Sequence, residues 1–352
     1  MTDSKTRYFR DNIAGMQAYV PGEQPQEADY IKLNTNENPY PPAPDVVEKI
    51  KAACSADLRL YPDPDALIVR KKLSRIFSVD ISQIMLGNGS DELLNIILRS
   101  FVGDGQQVHC PAPTYAYYKK LVQLQNARYV EIPFADDYSL PDGLGIEAAL
   151  TLIANPNSPS GTLADSESLA KVADASEGVL VVDEAYIDFS DGGSIGMLQD
   201  HANVVVVRTM SKSFSLAGMR IGMAIASPDL ISGLTKVKDH YNMGRLALVA
   251  AAAAIDSIDV MRENADRVRQ TREYLTLELR QLGMEVWDSS ANFVLARVRG
   301  ADAGMMQQEL KRRRILVRHF DEERLKDCLR ITVGLRHEID VLLRELAGIL
   351  RS

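Results

Sequence analysis

The sequence is short of cysteine, of excess positive charge and of long apolar runs. Its three cysteines, Cys54, Cys110 and Cys328, are odd in number, far apart and without metal-ligand spacing. That excludes a disulfide frame, argues for a reducing compartment and predicts buried, inert thiols. The formal net charge is −8, and the one short cationic run, Lys311 to Arg314, reads as a helix face. Nucleic acid is therefore not an expected partner. The longest small-apolar run, Leu246 to Ile255, is too short to cross a bilayer, and the opening MTDSKTRYFRDN lacks the apolar core of a secretory leader. A cytoplasmic location is expected, with no membrane partner. Internal repeats and low-complexity segments are also missing.

What is present is an alternation. From about Ala43 to Met261, short β-branched strands at Ile84, Val108, Ala127 to Ile132, Leu152, Val179, Val204 and Met223 alternate with helical stretches. That pattern predicts an α/β fold, a mostly parallel sheet with helices on both faces. A charged helix from Ser257 to Leu282 then leads to a smaller α+β unit with strands near Glu285, Asn292 to Arg297, Ile315 and Leu329 to Val333. The expected division is an N-terminal segment, 1–42, packed on the small unit and covering the site, a large domain, 43–261, and a small domain, 262–352.

Chemistry gathers at the strand ends. The run VVVVRTMSKSFSLAGMR, Val204 to Arg220, leaves a buried strand and places Lys212 among Thr209, Ser211 and Ser213, with Arg220 eight residues on. One amine able to act as a nucleophile, beside hydroxyls and a guanidinium suited to phosphate, points to a carbonyl cofactor carrying a phosphate. In VLVVDEAYIDF, Asp183 ends a buried strand where α/β sheets bind ligands, and Tyr186 follows it. In LIANPNSPSGT, turn residues present Asn157 as a rigid amide.

The ordered set Asn157, Asp183 with Tyr186, Ser211 with Lys212, then Arg220 resembles the signature of the fold-type I, class II aminotransferases that use pyridoxal 5'-phosphate, and within them the histidinol-phosphate aminotransferase branch. The resemblance covers nearly the whole chain. It implies that Lys212 forms a Schiff base with the cofactor and shuttles the proton. Asp183 would hold the protonated ring nitrogen, and Asn157 and Tyr186 would donate to the phenolate oxygen. Arg220, Ser211 and Thr209 would bind the phosphate.

The same resemblance extends to both sides. QIMLGNGSDELLNIIL opens a helix at Ser90 and Asp91, where free amides suit the cofactor phosphate. In PAPTYAYY, Tyr115 matches the aromatic stacked on the ring, with Tyr117 and Tyr118 as competitors. RLYPDPD resembles the segment whose tyrosine, here Tyr61, reaches the neighbouring subunit's site, which implies a homodimer. For the substrates, Arg330 in LRITVG would grip the carboxylate of glutamate or 2-oxoglutarate, and Arg318 in ILVRHF the phosphate of histidinol phosphate. Tyr19 in MQAYVPG would touch that phosphate, and Asn36 and Glu37 in KLNTNENPYPP would lie near the substrate. In HYNMGRLALVAAAAA, Gly244 stands where the family often has asparagine, which leaves the roles of Tyr241 and Asn242 open. The implied reaction is transamination of histidinol phosphate with 2-oxoglutarate in histidine biosynthesis. Aromatic or broad-range transamination, or threonine-phosphate decarboxylation, are the alternatives on the same scaffold.

Overall fold

A computed structural model describes residues 8–18, 22–25, 27 and 29–351. Among the described residues, thirteen strands run in chain order: β1 Ile31–Lys32, β2 Ile84–Gly87, β3 Gln107–Ala112, β4 Arg128–Pro133, β5 Leu150–Ala154, β6 Val179–Asp183, β7 Val204–Thr209, β8 Gly222–Ala226, β9 Glu285–Val286, β10 Phe293–Arg297, β11 Ile315–Leu316, β12 Arg318–His319 and β13 Cys328–Thr332. Seven of them form one sheet in the order β2-β8-β7-β6-β5-β3-β4. All neighbours are parallel except β8, which runs antiparallel to both β2 and β7.

The buried strands obey the two-residue period of a pleated sheet. Val181, Val205 and Val207 pack toward the helix Ser90–Phe101 with Leu94 and Ile97, whereas Leu180, Val182, Val204 and Val206 pack toward the helix Ser166–Ala175 with Leu169 and Val172. The helices Pro44–Ala53, Leu67–Phe77 and Arg245–Asp256 close over β2 and β8 through Val46, Leu73, Ala250 and Ile225. Helices thus cover both faces, as the α/β reading requires.

The helix Ile258–Gln281 continues without a break across the expected 261/262 boundary. It lies against an antiparallel sheet in the order β12-β13-β10-β9, whose apolar side forms a separate core with Val268, Leu275, Val294 and Ile331. The N-terminal strand β1 pairs in parallel with β11, which brings Ile31 and Leu33 into that second core. No helix of the described residues is long and apolar enough to cross a membrane.

One expectation fails. Cys110 and Cys328 are buried, but Cys54 is exposed. It caps the C-terminus of Pro44–Ala53, a helix whose only buried residue is Val46, so the chain there has already left the core. Burial pushes the Cys328 thiol up to about 12 and raises that of Cys110 further still.

Candidate active site

The carboxyl ends of β5, β6 and β7, the turn after β2 and the strands β12 and β13 surround a cavity of about 540 Å³. Its wall carries Ser90, Asp91, Tyr115, Asp183, Tyr186, Thr209, Ser211, Lys212, Arg220, Asn36, Arg318 and Arg330. A crevice at the strand ends is where an open α/β sheet places its ligands. Residues 296 positions apart meet here in the hydrogen bond of Arg330 to the Asn34 carbonyl.

Lys212 follows β7 on a loop held from behind. The Asn38 side-chain amide donates to the carbonyls of Lys212 and Ser213 at 3.1 and 3.0 Å, and the Ser213 hydroxyl donates to Asp188. Lys212 Nζ lies 3.4 Å from the Thr35 carbonyl and 5.5 Å from the centre of the Tyr186 ring. No carboxylate pairs with this ammonium among the described residues, so the amine is positioned without being committed to an ion pair.

Asp183 ends β6 and is 5 % exposed. One of its oxygens accepts from the Tyr118 hydroxyl at 2.8 Å, the other from the Ala185 amide at 3.2 Å. Burial pushes its carboxyl up to about 6, against the pull of the Tyr118 hydrogen bond. Glu184 beside it is also buried but is neutralised by Arg208 at 2.7 Å. Asp183 is thus a buried carboxylate lacking a cationic side-chain partner among the described residues, a state that a cation on a ligand would relieve.

An anion cradle faces it. Gly89 caps the helix Ser90–Phe101 and offers no side chain to its first amides, leaving the positive end of the helix open to the cavity. Gly89 has φ +86°, and a Cβ there would meet Arg220 Nη2 at 2.5 Å; one on Gly222 would strike the Gly89 backbone at the same distance. Both glycines let β8 and the turn after β2 close on each other. Arg220, itself left-handed at φ 51°, reaches Asp91 at 3.0 Å and Ser211 Oγ at 3.5 Å. The Thr209 hydroxyl donates to Ser211 Oγ at 2.9 Å and receives the Ser211 amide at 3.1 Å.

Tyr115 borders the cavity with its hydroxyl 3.4 Å from Asp91, and its ring stands nearly perpendicular to that of Tyr118, centres 5.4 Å apart. The Tyr186 hydroxyl accepts from Asn36 Nδ2 at 3.0 Å. Across the cavity, Arg330 Nη1 donates to Ser158 at 3.2 Å and its guanidinium lies over Phe293 and Phe320. Arg318 lies over Phe320 at 5.5 Å and pairs with no carboxylate among the described residues.

Other sequence-predicted residues lie elsewhere. Asn157 is behind the wall, its amide donating to the Pro113 carbonyl at 3.2 Å and to Ser160 at 2.9 Å; donation to a ligand would require it to exchange one of these. Glu37 turns aside to Lys32 and Thr35. Tyr61 is exposed and stacks on Tyr241 at 4.4 Å. Asn242 is structural, tying the Leu86 carbonyl to Glu92. Tyr19 lies outside the described residues. Sequence reasoning missed Asn38, the tyrosine-held state of Asp183, and Phe320, Asp321 and Glu322, which border the cavity from the loop after β12.

Known proteins share this architecture. The family described as aminotransferase class I and II matches residues 28–346. A curated relative from Nostoc sp., named histidinol-phosphate aminotransferase 1, is 43 % identical over 99 % of this chain and 99 % of its own length. Another, histidinol-phosphate aminotransferase of Citrifermentans bemidjiense, is 43 % identical over 96 % of this chain and 97 % of its own. The crystal structure of histidinol-phosphate aminotransferase from Sinorhizobium meliloti in complex with pyridoxal-5'-phosphate superposes with a TM-score of 0.89 at 28 % identity, covering 98 % of each chain.

Proposed function

The chain belongs to the class I and II aminotransferase family, and on that premise we propose that it moves an amino group between L-histidinol phosphate and 2-oxoglutarate, yielding imidazole-acetol phosphate and L-glutamate, a step of histidine biosynthesis. The observation that carries this reading is one cavity holding a lysine and a buried aspartate that form no ion pair among the described residues, an anion cradle and two further arginines. Pyridoxal 5'-phosphate fits the first three: a protonated ring nitrogen would neutralise Asp183, and the phosphate would take the cradle of Ser90, Asp91, Thr209, Ser211 and Arg220. When bound, it supplies an electron sink for the carbon that carries the amino group.

The protein's own groups do the rest. Lys212 Nζ would supply the amine for the cofactor carbonyl and would hold and return the proton of the reacting carbon. Asp183 would hold a protonated ring nitrogen. Tyr115 would cover the ring, and Tyr186, kept in place by Asn36, would donate to the ring oxygen; Asn157 would join it on exchanging a partner of its amide. Arg330 receives the carboxylate of glutamate, and Arg318, with Tyr19, the phosphate of the amino substrate. The arginines lie on the small sheet and Lys212 on the loop leaving β7 of the large one, so substrate binding would bridge the units proposed at 43–261 and 262–352.

A homodimer is part of the same proposal. The segment around Tyr61 exposes Leu58, Leu60, Leu67 and Ile68 with Tyr241 nearby, an apolar surface suited to a second copy of the chain. Tyr61 would then reach the partner's phosphate cradle.

The deciding experiment is a half-reaction. Protein loaded with pyridoxal 5'-phosphate and given L-histidinol phosphate without keto acid converts its absorbance to that of the pyridoxamine form, faster than with phenylalanine or aspartate. Preference for either control rejects the substrate assignment. Lys212→Ala abolishes the conversion by several orders of magnitude.

A further inference from the structure

Tyr118 opens no cavity of its own and touches no solvent, yet its hydroxyl is spent on a single acceptor. It lies in the helix Tyr117–Leu124, fully buried, and donates to Asp183 Oδ2 at 2.8 Å. Its ring packs nearly perpendicular to that of Tyr115, centres 5.4 Å apart and planes at 85°, so the donor cannot swing away without moving the neighbour that borders the cavity. The second oxygen of Asp183 is fixed by the Ala185 amide, and these two bonds define the plane of the carboxylate. We propose that Tyr118 is a positioning residue that keeps Asp183 ionised and aimed into the cavity before any cofactor arrives, a role that rests on reading Asp183 as the partner of the ring nitrogen.

The surroundings leave this task to Tyr118. Asp91, across the cavity, and Glu184, next in sequence, both oppose a charge on Asp183. Their own cations, Arg220 and Arg208, are already engaged with them. Lys212 borders the same cavity and makes no hydrogen bond to Asp183 among the described residues. Burial pushes the Asp183 carboxyl up, and the Tyr118 hydroxyl is the strongest influence pulling it back. Tyr118 in turn stays protonated, because burial and the adjacent Asp183 raise its phenol well above the ordinary value. It is therefore a donor across the whole working range of pH.

The test begins with the apoprotein. Folded Asp183 keeps its proton up to about 6, whereas the unfolded group releases it near the ordinary 3.8. The folded state binds more protons between these values, so stability falls as pH rises through the window and levels above it. Tyr118→Phe, which removes one oxygen and keeps the ring, extends that fall upward by about one pH unit in chemical unfolding. In the Asp183→Asn background the same substitution changes the level but not the pH dependence. Parallel curves for wild type and Tyr118→Phe, or an extension that persists in the Asp183→Asn background, overturn the proposal. Should the phenylalanine variant not accumulate, fluorotyrosine incorporated at position 118 is a stronger donor of similar volume, and it moves the window downward; no movement overturns the proposal equally. Pyridoxal 5'-phosphate binding supplies a separate arm: Tyr118→Phe binds it several-fold more weakly at neutral pH and recovers at alkaline pH. Wild-type apoprotein that takes up none defeats the functional reading, while the unfolding arm still decides the role of Tyr118.

Discussion

Asn36 donates its side-chain amide to the Tyr186 hydroxyl at 3.0 Å while its backbone amide and its side-chain oxygen both engage Thr332 Oγ1, each at 3.0 Å. One residue of the N-terminal segment thereby joins the loop after β6 to the end of β13. It does so in a left-handed conformation, φ 56°, which asparagine tolerates better than most residues. Asn292 adds a bond to its carbonyl at 2.9 Å.

Replacing this joint separates two costs. Asn36→Gly keeps the backbone conformation and loses the side-chain bonds, costing about 1–3 kcal/mol. Asn36→Ala loses the same bonds and adds strain at positive φ, so it is the less stable of the two. Chemical unfolding measures the order; equal stabilities would show that the left-handed backbone is unstrained.

Gly89→Ala targets the cradle. The added methyl meets Arg220 Nη2 at a positive φ and drives the guanidinium from its place beside Asp91 and Ser211. Affinity for pyridoxal 5'-phosphate and for inorganic phosphate falls together, by roughly tenfold or more, the scale of a hydrogen bond to a charged group. Equilibrium dialysis checks both ligands; retention of phosphate affinity would place the anion elsewhere.

The two arginines of the small sheet separate by substrate. Arg330→Ala raises the KM of the glutamate half-reaction roughly 10- to 100-fold and Arg318→Ala that of histidinol phosphate, in line with losing a charge-assisted contact. Stopped-flow half-reactions resolve the two; an effect on the wrong partner exchanges the assignments.

Glu37 supplies a pH signature outside the cavity. Burial pushes its carboxyl up, but hydrogen bonds from Lys32 and Thr35 outweigh it and hold the group below the ordinary 4.5. A depressed folded value gives stability that is present above 4.5 and lost as pH falls through the folded value. Glu37→Gln therefore destabilises at neutral pH, and the difference from wild type shrinks in acid. Unfolding curves at the two pH values test the sign.

Much of this was legible in the sequence because strand ends advertise themselves. Valine runs that stop at Asp183 and, shortly before Lys212, at Arg208 marked both the sheet and its working edge, and the Gly-Asn-Gly turn marked the start of Ser90–Phe101. The direction of β8 was not readable, since an apolar strand buried on both faces looks the same whichever way it runs. Tyr118 was hidden among neighbouring tyrosines: nothing local distinguishes a ring facing the cavity from one whose hydroxyl is buried against a carboxylate. Asn38 was missed because it acts on backbone 174 residues away, and Asn157 carried turn chemistry that the structure uses on Pro113 and Ser160.

The antiparallel strand β8 has a consequence for the order of assembly. It is the only contact in the large sheet between β2 and β7, pairing Gly87 with Gly222 and Thr209 with Gly222. The anion cradle is made of the turn leaving β2 and the loop entering β8, so it cannot exist until segments more than a hundred residues apart have closed on each other. Contacts of that separation are slow to form because the loop entropy is spent before they reward it. A growing or refolding chain thus has nothing with which to capture a phosphate until its sheet is complete through residue 226, and ligand capture becomes a kinetic marker of the finished large sheet rather than an aid to building it.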